Sequence, residues 1–352
     1  MHVRRKNLLS FCTVITQNYL SHSLVLYESL KAHHSDLTFY CFIIDGDASH
    51  PIYEDIPFKT IFLEDVKINN IEDMVIYYNA FELCNAVRPS FIKHLMTVHK
   101  EEKVIYLDSD IYVTSSFQEI DSHLEDCLFS FTPHITKPLP LDGEQPDDLQ
   151  LLQVGIYNSG FWMFRKHERS LEMLDWLISR FEIYCFDDLS KRMFCDQKLL
   201  PMLTHLYKED FLCLDATQYN VAHWNIFQRD ISYQDDLYWV DEKPVVFFHM
   251  SGFDQSDPSK LTHHLHRMTK EKLEILHPLL NHYADLLNEK KVDSINSSYK
   301  YDIDLKTGLL LTKFRRQYYF NYRTFENVKK EERRGVRRKM KNIVYRLLQR
   351  NR

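Results

Sequence analysis

Glycine is scarce in this chain: seven residues out of 352. No GxGxxG loop and no GxxxxGK[ST] stretch occurs, so the dinucleotide fingerprint and the P-loop are both excluded. The seven cysteines, at 12, 41, 84, 127, 185, 195 and 213, form no CxxC pair and are odd in number. That argues against a disulfide framework and for a reducing, cytoplasmic setting. No apolar run approaches the length of a membrane-spanning helix. Arg4, Arg5 and Lys6 before the run from Leu8 to Ile15 imitate a secretory leader. The run is short and lacks a small-residue cleavage site, so a buried first strand is the expectation. No internal repeat is visible, which excludes a solenoid.

What is present suits a globular chain, with 44% hydrophobic and 14% aromatic residues and enough length for one large α/β domain. The net charge of −6 hides an asymmetry. The last forty residues hold fifteen Lys or Arg against three Glu, a surplus of twelve that leaves the preceding 312 residues near −18.

Apolar runs at 9–16 and 37–44 flank a helical pattern at 21–32, which reads as a βαβ opening and implies a parallel sheet. Further strands are expected at 60–63, 103–107, 127–131, 160–165, 211–214 and 244–248. Helices are expected at 79–97, 169–182, 195–206 and 270–288, where apolar residues recur every three or four positions. The fold class is therefore α/β. Residues 132–148, proline-rich and acidic, read as a long loop. The expected organisation is one domain over 8–288, a linker over 289–312, and a basic amphipathic helical extension over 313–352. In that extension Val336, Met340, Ile343, Val344, Leu347 and Leu348 share one helical face.

In KVIYLDSDIYV an apolar strand ends in Asp108-Ser109-Asp110. Carboxylates at i and i+2 of extended backbone lie on one side and can reach one hard cation, Mn²⁺ or Mg²⁺. Such a cation can bridge a protein to a diphosphate and stabilise it as a leaving group. A strand cap or turn start is the bland alternative for a bare Asp-x-Asp. Downstream, PVVFFHMSGF puts His249 at the end of another apolar run, three residues before Gly252. Imidazole can be a third ligand, and glycine permits close approach of backbone to phosphate. Between them, Asn158 and Ser159 precede a strand, with Asn158 able to bond a sugar hydroxyl. Asp196-Gln197 reads as the opening of a helix, where the dipole favours a carboxylate.

The order β1 with Asn18-Tyr19, then Asp-x-Asp, Asn-Ser-Gly, Asp-Gln and His-x-x-Gly, over about residues 8–265, resembles family 8 and related GT-A glycosyltransferases. ELCNAVRPSF and YNVAHWNI make the chain similar in particular to bacterial transferases of lipooligosaccharide and other cell-surface glycans, and to glycogenin-like proteins. The resemblance implies a Rossmann-like single domain with a mixed central sheet. It also implies transfer of a hexose from a nucleotide-diphosphate sugar, a UDP-sugar by expectation, to a glycan or lipid-linked acceptor, with retention.

Carried over residue by residue, it implies that Asp108, Asp110 and His249 bind the metal, that Thr16 and Tyr19 border the nucleotide base, and that Gly252 lies beside the diphosphate. Asn18, Arg88, Ser109, Asn158 and Ser159 would be further donor contacts, with Asp196 and Gln197 catalytic at the donor sugar. For Arg88 a helix-surface salt bridge stays open. Trp224 and Asn225 are weaker acceptor candidates, with ordinary core packing of the Trp as the alternative. Two departures stand out: the family's aspartate on the first strand aligns with Thr16, and the lysine of its His-x-x-Gly-x-x-Lys motif falls at Gln255. Lys260 or His263, His264 and His266 could replace that lysine.

The basic extension suggests peripheral contact with an anionic membrane, which would bring the enzyme to a lipid-linked acceptor. A helix packed on the acidic domain is the alternative, and no nucleic-acid partner is expected. Rival readings of the whole chain are a haloacid-dehalogenase-type phosphatase and a non-catalytic adaptor on a degenerate transferase fold that binds membrane or nucleic acid through its basic tail.

Overall fold

The computed structural model describes residues 9–262, 267–292 and 298–335. Seven strands form the central sheet. They are β1 (Leu9–Ile15), β2 (Thr38–Ile43), β3 (Lys59–Phe62), β4 (Lys103–Leu107), β6 (Phe129–Pro133), β7 (Tyr157–Arg165) and the short edge strand Phe211–Cys213. The order across the sheet is Phe211–Cys213, β6, β7, β4, β1, β2, β3. Strands β4, β1, β2 and β3 run parallel, whereas β7 is antiparallel to both β4 and β6. A separate strand β5 (Ile111–Val113) follows β4 at once.

The helices are α1 (Leu20–His33), α2 (Ile71–Tyr77), α3 (Ala80–Thr97), α4 (Gln118–Asp126), α5 (Asp148–Val154), α6 (Glu168–Tyr184), α7 (Leu200–Leu206), α8 (Lys270–Glu289) and α9 (Lys313–Tyr322). Because strand side chains alternate, each strand feeds two cores. Cys12, Val14, Phe42, Tyr106 and Trp162 pack with α3 and α6, while Phe11, Ile15, Ile43, Leu107 and Phe161 pack on the other face with α1. Helix α3 starts at a reciprocal cap in which Asn79 Oδ1 accepts from Glu82 N and Glu82 Oε2 accepts from Asn79 N. Leu83, Val87, Phe91 and Leu95 recur every four residues along its buried side.

Three sequence expectations change. The helix expected from 195 begins only at Leu200, because Pro201 suits a first helical turn and Cys195 holds a left-handed backbone at φ 43°. Asp196-Gln197 therefore lies in a turn, and the helix dipole does not act on it. The strand expected at 244–248 divides into Lys243–Pro244 and Phe247–His249, and the second pairs antiparallel with β5 outside the central sheet.

The third change concerns the chain after α8. Tyr299 and Tyr301, within the stretch expected to be a linker, are buried in the core beside α3. Arg316 of α9 is buried and donates to the carbonyls of Val75, Ile76 and Tyr78 at the end of α2. It also donates to the carbonyls of Tyr301 and Leu311. Helix α2's orphan carbonyls thus find their donor 238 residues away from Tyr78. The apolar face expected at 336–348 lies outside the described residues.

Candidate functional site

Parallel strands deliver their C-terminal ends to one edge. The chain order reverses where β1 lies between β2 and β4, the position at which open α/β sheets form a crevice. Asp108 leaves β4 at this crevice. The Asp-x-Asp motif is not extended backbone but a tight turn, in which Ile111 N donates to Asp108 O at 3.1 Å before β5 begins. The pairing of β5 with Phe247–His249 puts His249 opposite Ile111, and Met250 N donates to Asp110 O at 2.9 Å. His249 Nε2 comes 3.1 Å from Asp110 Oδ1 and 3.9 Å from Asp108 Oδ2. One ligand atom each from Asp108, Asp110 and His249 lies within 4.8 Å of the others.

The hydrogen-bond network fixes which atom of each ligand is free. Gly160 N donates to Asn158 Oδ1, so that atom is an acceptor and the Asn220 atom at 3.0 Å from it must be the amide nitrogen. Asn220 Oδ1 then faces His249 Nδ1 at 3.2 Å, which places a proton on Nδ1 and turns Nε2 toward the carboxylates. Burial pushes the His249 pKa down, but Asp110 and Asp108 outweigh it and the net shift is upward. Asp108 Oδ1 accepts from Arg88 Nη2 and from the Tyr106 hydroxyl, each at 2.6 Å, so Oδ2 is the oxygen turned to the cluster. Two carboxylate oxygens and one imidazole nitrogen are a donor set that a divalent cation can accept.

Arg88 is the hinge of the site's electrostatics. Its side chain is 5% exposed, its guanidinium lies over the Tyr106 ring, and it pairs at once with Asp108 and with Asp196 at 2.8 Å. It also donates to Ser159 O. The surface salt bridge considered for this residue is therefore a buried one. Asp196 is 1% exposed, and its Oδ1 has no protein partner. Burial raises its pKa to about 6 against the lowering effect of Arg88. Gln197 Oε1 accepts from Ser159 N at 3.0 Å, and Asn158 Nδ2 lies 3.3 Å from it. One polar network thus runs from Gln197 through Asn158 and Asn220 to His249.

Gly160 is needed for this closeness. A Cβ there would sit 2.3 Å from His249 Cε1 and 2.8 Å from Nδ1. Gly160→Ala is expected to displace the imidazole and weaken Mn²⁺ binding by about 10–100-fold, measured by calorimetric titration. Unchanged affinity would show that His249 is not a ligand.

Other expected residues are placed as follows. Thr16 is buried just past β1, and Asn18 and Tyr19 lie in the turn leading into α1. Tyr19 is 45% exposed, packs on His22 and sits in the field of Asp110. Gly252 has the left-handed φ of 71° that glycine tolerates. Trp224 packs edge-on against His249 with ring centroids 5.1 Å apart. Asn225 is 1% exposed, and its amide bonds His134 O, Asn220 O and Ala222 N, so it braces the loop rather than facing a ligand. Lys260 pairs with Asp257 in its own turn. His263, His264 and His266 lie outside the described residues. Sequence reasoning passed over Tyr106 and Asn220, although both sit inside stretches whose motifs were legible.

Fold and site together define a mixed α/β protein with a buried Arg-carboxylate network and a candidate divalent-metal cluster at the sheet's crevice. No family model matches the chain. It is 25% identical over 278 residues, 77% of this chain and 89% of the relative, to the uncharacterized protein YfnF of Bacillus subtilis (strain 168). It is 21% identical over 251 residues, 69% of this chain and 77% of the relative, to YfnD of the same organism. Among solved structures it is similar to the galactosyltransferase LgtC in complex with donor and acceptor sugar analogs, at 14% identity and TM-score 0.47, covering 82% of this chain and 97% of that one. It is also similar to the glycosyltransferase GlyE of Streptococcus pneumoniae TIGR4, at 15% identity and TM-score 0.45, covering 80% of this chain and 63% of that one.

Proposed function

We propose that the chain is a metal-dependent glycosyltransferase of the GT-A type that moves a hexose from a nucleotide-diphosphate sugar, with UDP as the nucleotide, to a glycan or lipid-linked acceptor. The observation that carries this reading is the convergence of Asp108, Asp110 and His249 beside the Arg88–Asp196 pair at one crevice. A bound Mn²⁺ or Mg²⁺ would supply charge stabilisation to a departing diphosphate. The chain's own residues supply the rest.

His249 and Asp110 present their free atoms to the cluster because Asn220 and the β5 pairing hold them there. Asp196 Oδ1, buried and without a partner, is an acceptor for a donor-sugar hydroxyl. Arg88 keeps that carboxylate ionised and aimed. Asn158 and Gln197 order the same wall. Retention of configuration, by front-face attack or through Asp196 as a nucleophile, belongs to this proposal.

No helix among the described residues is long and apolar enough to cross a membrane. A cytoplasmic enzyme held peripherally on an anionic membrane by its basic C-terminal residues is part of the same reading. Because α9 and Arg316 are built into the core, a deletion at 313 would remove structural contacts along with the basic charge.

The test is a panel of nucleotide sugars, with and without Mn²⁺ or Mg²⁺ and with glycan acceptors, read as release of nucleoside diphosphate. Metal-dependent release from one donor is the expected result. Inactivity across the whole panel would sink the reading.

A further inference from the structure

Glu82 lies in the first turn of α3 and is 7% exposed. Glutamate is seldom buried, and a buried carboxylate is tolerated only where hydrogen bonds meet it. Here both oxygens are used. Oε2 accepts from Asn79 N at 2.9 Å, and Oε1 accepts at 2.8 Å from Asp187 N, 105 residues away. The helix cap alone gives no reason to bury this side chain; the contact to Asp187 does.

Asp187 opens a hairpin in which Asp187–Asp188 pairs antiparallel with Met193–Phe194. Strands of two residues do not hold such a ribbon by themselves. The chain leaves it through Cys195, whose φ of 43° is a left-handed conformation that surrounding contacts must hold, and then reaches Asp196. Two of those contacts come from α3. Arg88, six residues after Glu82, pairs with Asp196 at 2.8 Å, and Glu82 holds the root of the hairpin. Just before α3, the Tyr78 hydroxyl donates to Phe181 O at 2.7 Å and accepts from Cys185 N at 3.0 Å, which fixes the chain as it enters the hairpin. Arg316 of α9 in turn donates to the Tyr78 carbonyl at 2.6 Å.

We propose, on the donor reading above, that Glu82 is a positioning residue: with Arg88 on the same helix, it seats residues 187–196 so that Asp196 Oδ1 meets the donor sugar. Arg88 fixes one oxygen of Asp196. Glu82 fixes the backbone from which that side chain hangs. Because neither Glu82 nor Asp187 touches Asp108, Asp110 or His249, the metal cluster stands apart from this clamp.

The experiment compares Glu82→Gln, Asp187→Pro, the double change and Asn79→Ala in the full chain. Gln keeps the length of the side chain but offers one acceptor to two N–H groups. Asp187→Pro removes the donated proton from the hairpin side and leaves α3 unchanged. Asn79→Ala weakens the same helix start but spares the contact to Asp187. Turnover is read as nucleoside diphosphate release from the donor that the panel identifies, Mn²⁺ affinity by calorimetric titration, and the hairpin by hydrogen exchange. In Glu82→Gln and Asp187→Pro, kcat is expected to fall about 10–100-fold through a misplaced Asp196, with far smaller changes in donor KM and Mn²⁺ affinity. Exchange at residues 193–196 is expected to quicken. The double change should lose no more than the worse single change, since both break one contact. Asn79→Ala should melt lower yet keep the wild-type kcat where it is folded.

Wild-type kcat in folded Glu82→Gln and Asp187→Pro, or an equal loss of kcat in Asn79→Ala, would overturn the proposal and leave Glu82 a helix cap only. Should Glu82→Gln not fold, Asp187→Pro decides, because the helix is intact in it. Unaltered exchange at residues 193–196 would overturn the clamp whatever the turnover. A wild type that turns over no donor would instead sink the donor reading on which the proposal stands.

Discussion

Arg88→Ala is expected to destabilise the protein by about 3–5 kcal/mol, because it leaves Asp196 buried without a cation and removes a donor from Asp108. Equilibrium unfolding in urea measures this. The penalty depends on pH with a definite sign. Asp196 has a folded pKa of about 6 with Arg88 present, above its ordinary carboxylate value. Its contribution to stability is therefore greatest below about pH 4 and is lost as pH rises through 6. Removing Arg88 removes the lowering influence, so the folded pKa climbs further and the loss extends to higher pH.

The difference between wild type and Arg88→Ala is thus expected to be larger at pH 8 than at pH 5. A pH-independent penalty would mean that the Arg88–Asp196 pair is not what is being broken. Arg88→Lys is expected to rescue little. The guanidinium donates through Nη1 to Asp196 and Ser159 O and through Nη2 to Asp108, and one ammonium cannot span both sides.

The double change Asp108→Ala plus Asp110→Ala is expected to abolish metal-dependent turnover, a loss of about 1,000-fold or more for several kcal/mol of charge stabilisation. Undiminished turnover would refute the metal site. The single changes are expected to differ. Asp110 meets His249 alone among the charged groups of the cluster, so Asp110→Ala should weaken Mn²⁺ binding with little effect on unfolding. Asp108 also anchors Arg88 and the Tyr106 hydroxyl, so Asp108→Ala should lower both metal affinity and stability. Mn²⁺ titration and urea unfolding of the two single variants, side by side, separate ligation from structural pairing.

Much of the scaffold was legible locally. The runs at Leu9–Ile15, Thr38–Ile43 and Lys103–Leu107 are apolar on both faces, as buried parallel strands are, and their boundaries agree with the sequence reading within two residues. The cluster Asp108, Asp110 and His249 was legible because Asp108 and His249 end apolar runs and Asp110 stands just before the next, and a strand end is where a side chain reaches the crevice. The start of α7 was misread, because the apolar spacing before Leu200 looks helical while Pro201 and the left-handed Cys195 delay the helix. The packing of Tyr299, Tyr301 and Arg316 was invisible in a polar stretch, since no periodicity announces a tyrosine that buries itself against a distant helix.

By itself, then, the sequence determined the order of strands and helices, the identity of three candidate ligands and the charge of the extension, all properties carried by short windows of chain. Only the tertiary structure decided that Arg88 serves Asp108 and Asp196 together, the latter 108 residues away, and that Asn220 sets the protonated nitrogen of His249. It also decided that Asp196 keeps one oxygen unpaired. These facts depend on which strands become neighbours and on which polar atoms are left over once the core has closed. That pairing is a property of packing at long range, where a buried charge is tolerated only if its partner arrives from elsewhere in the fold.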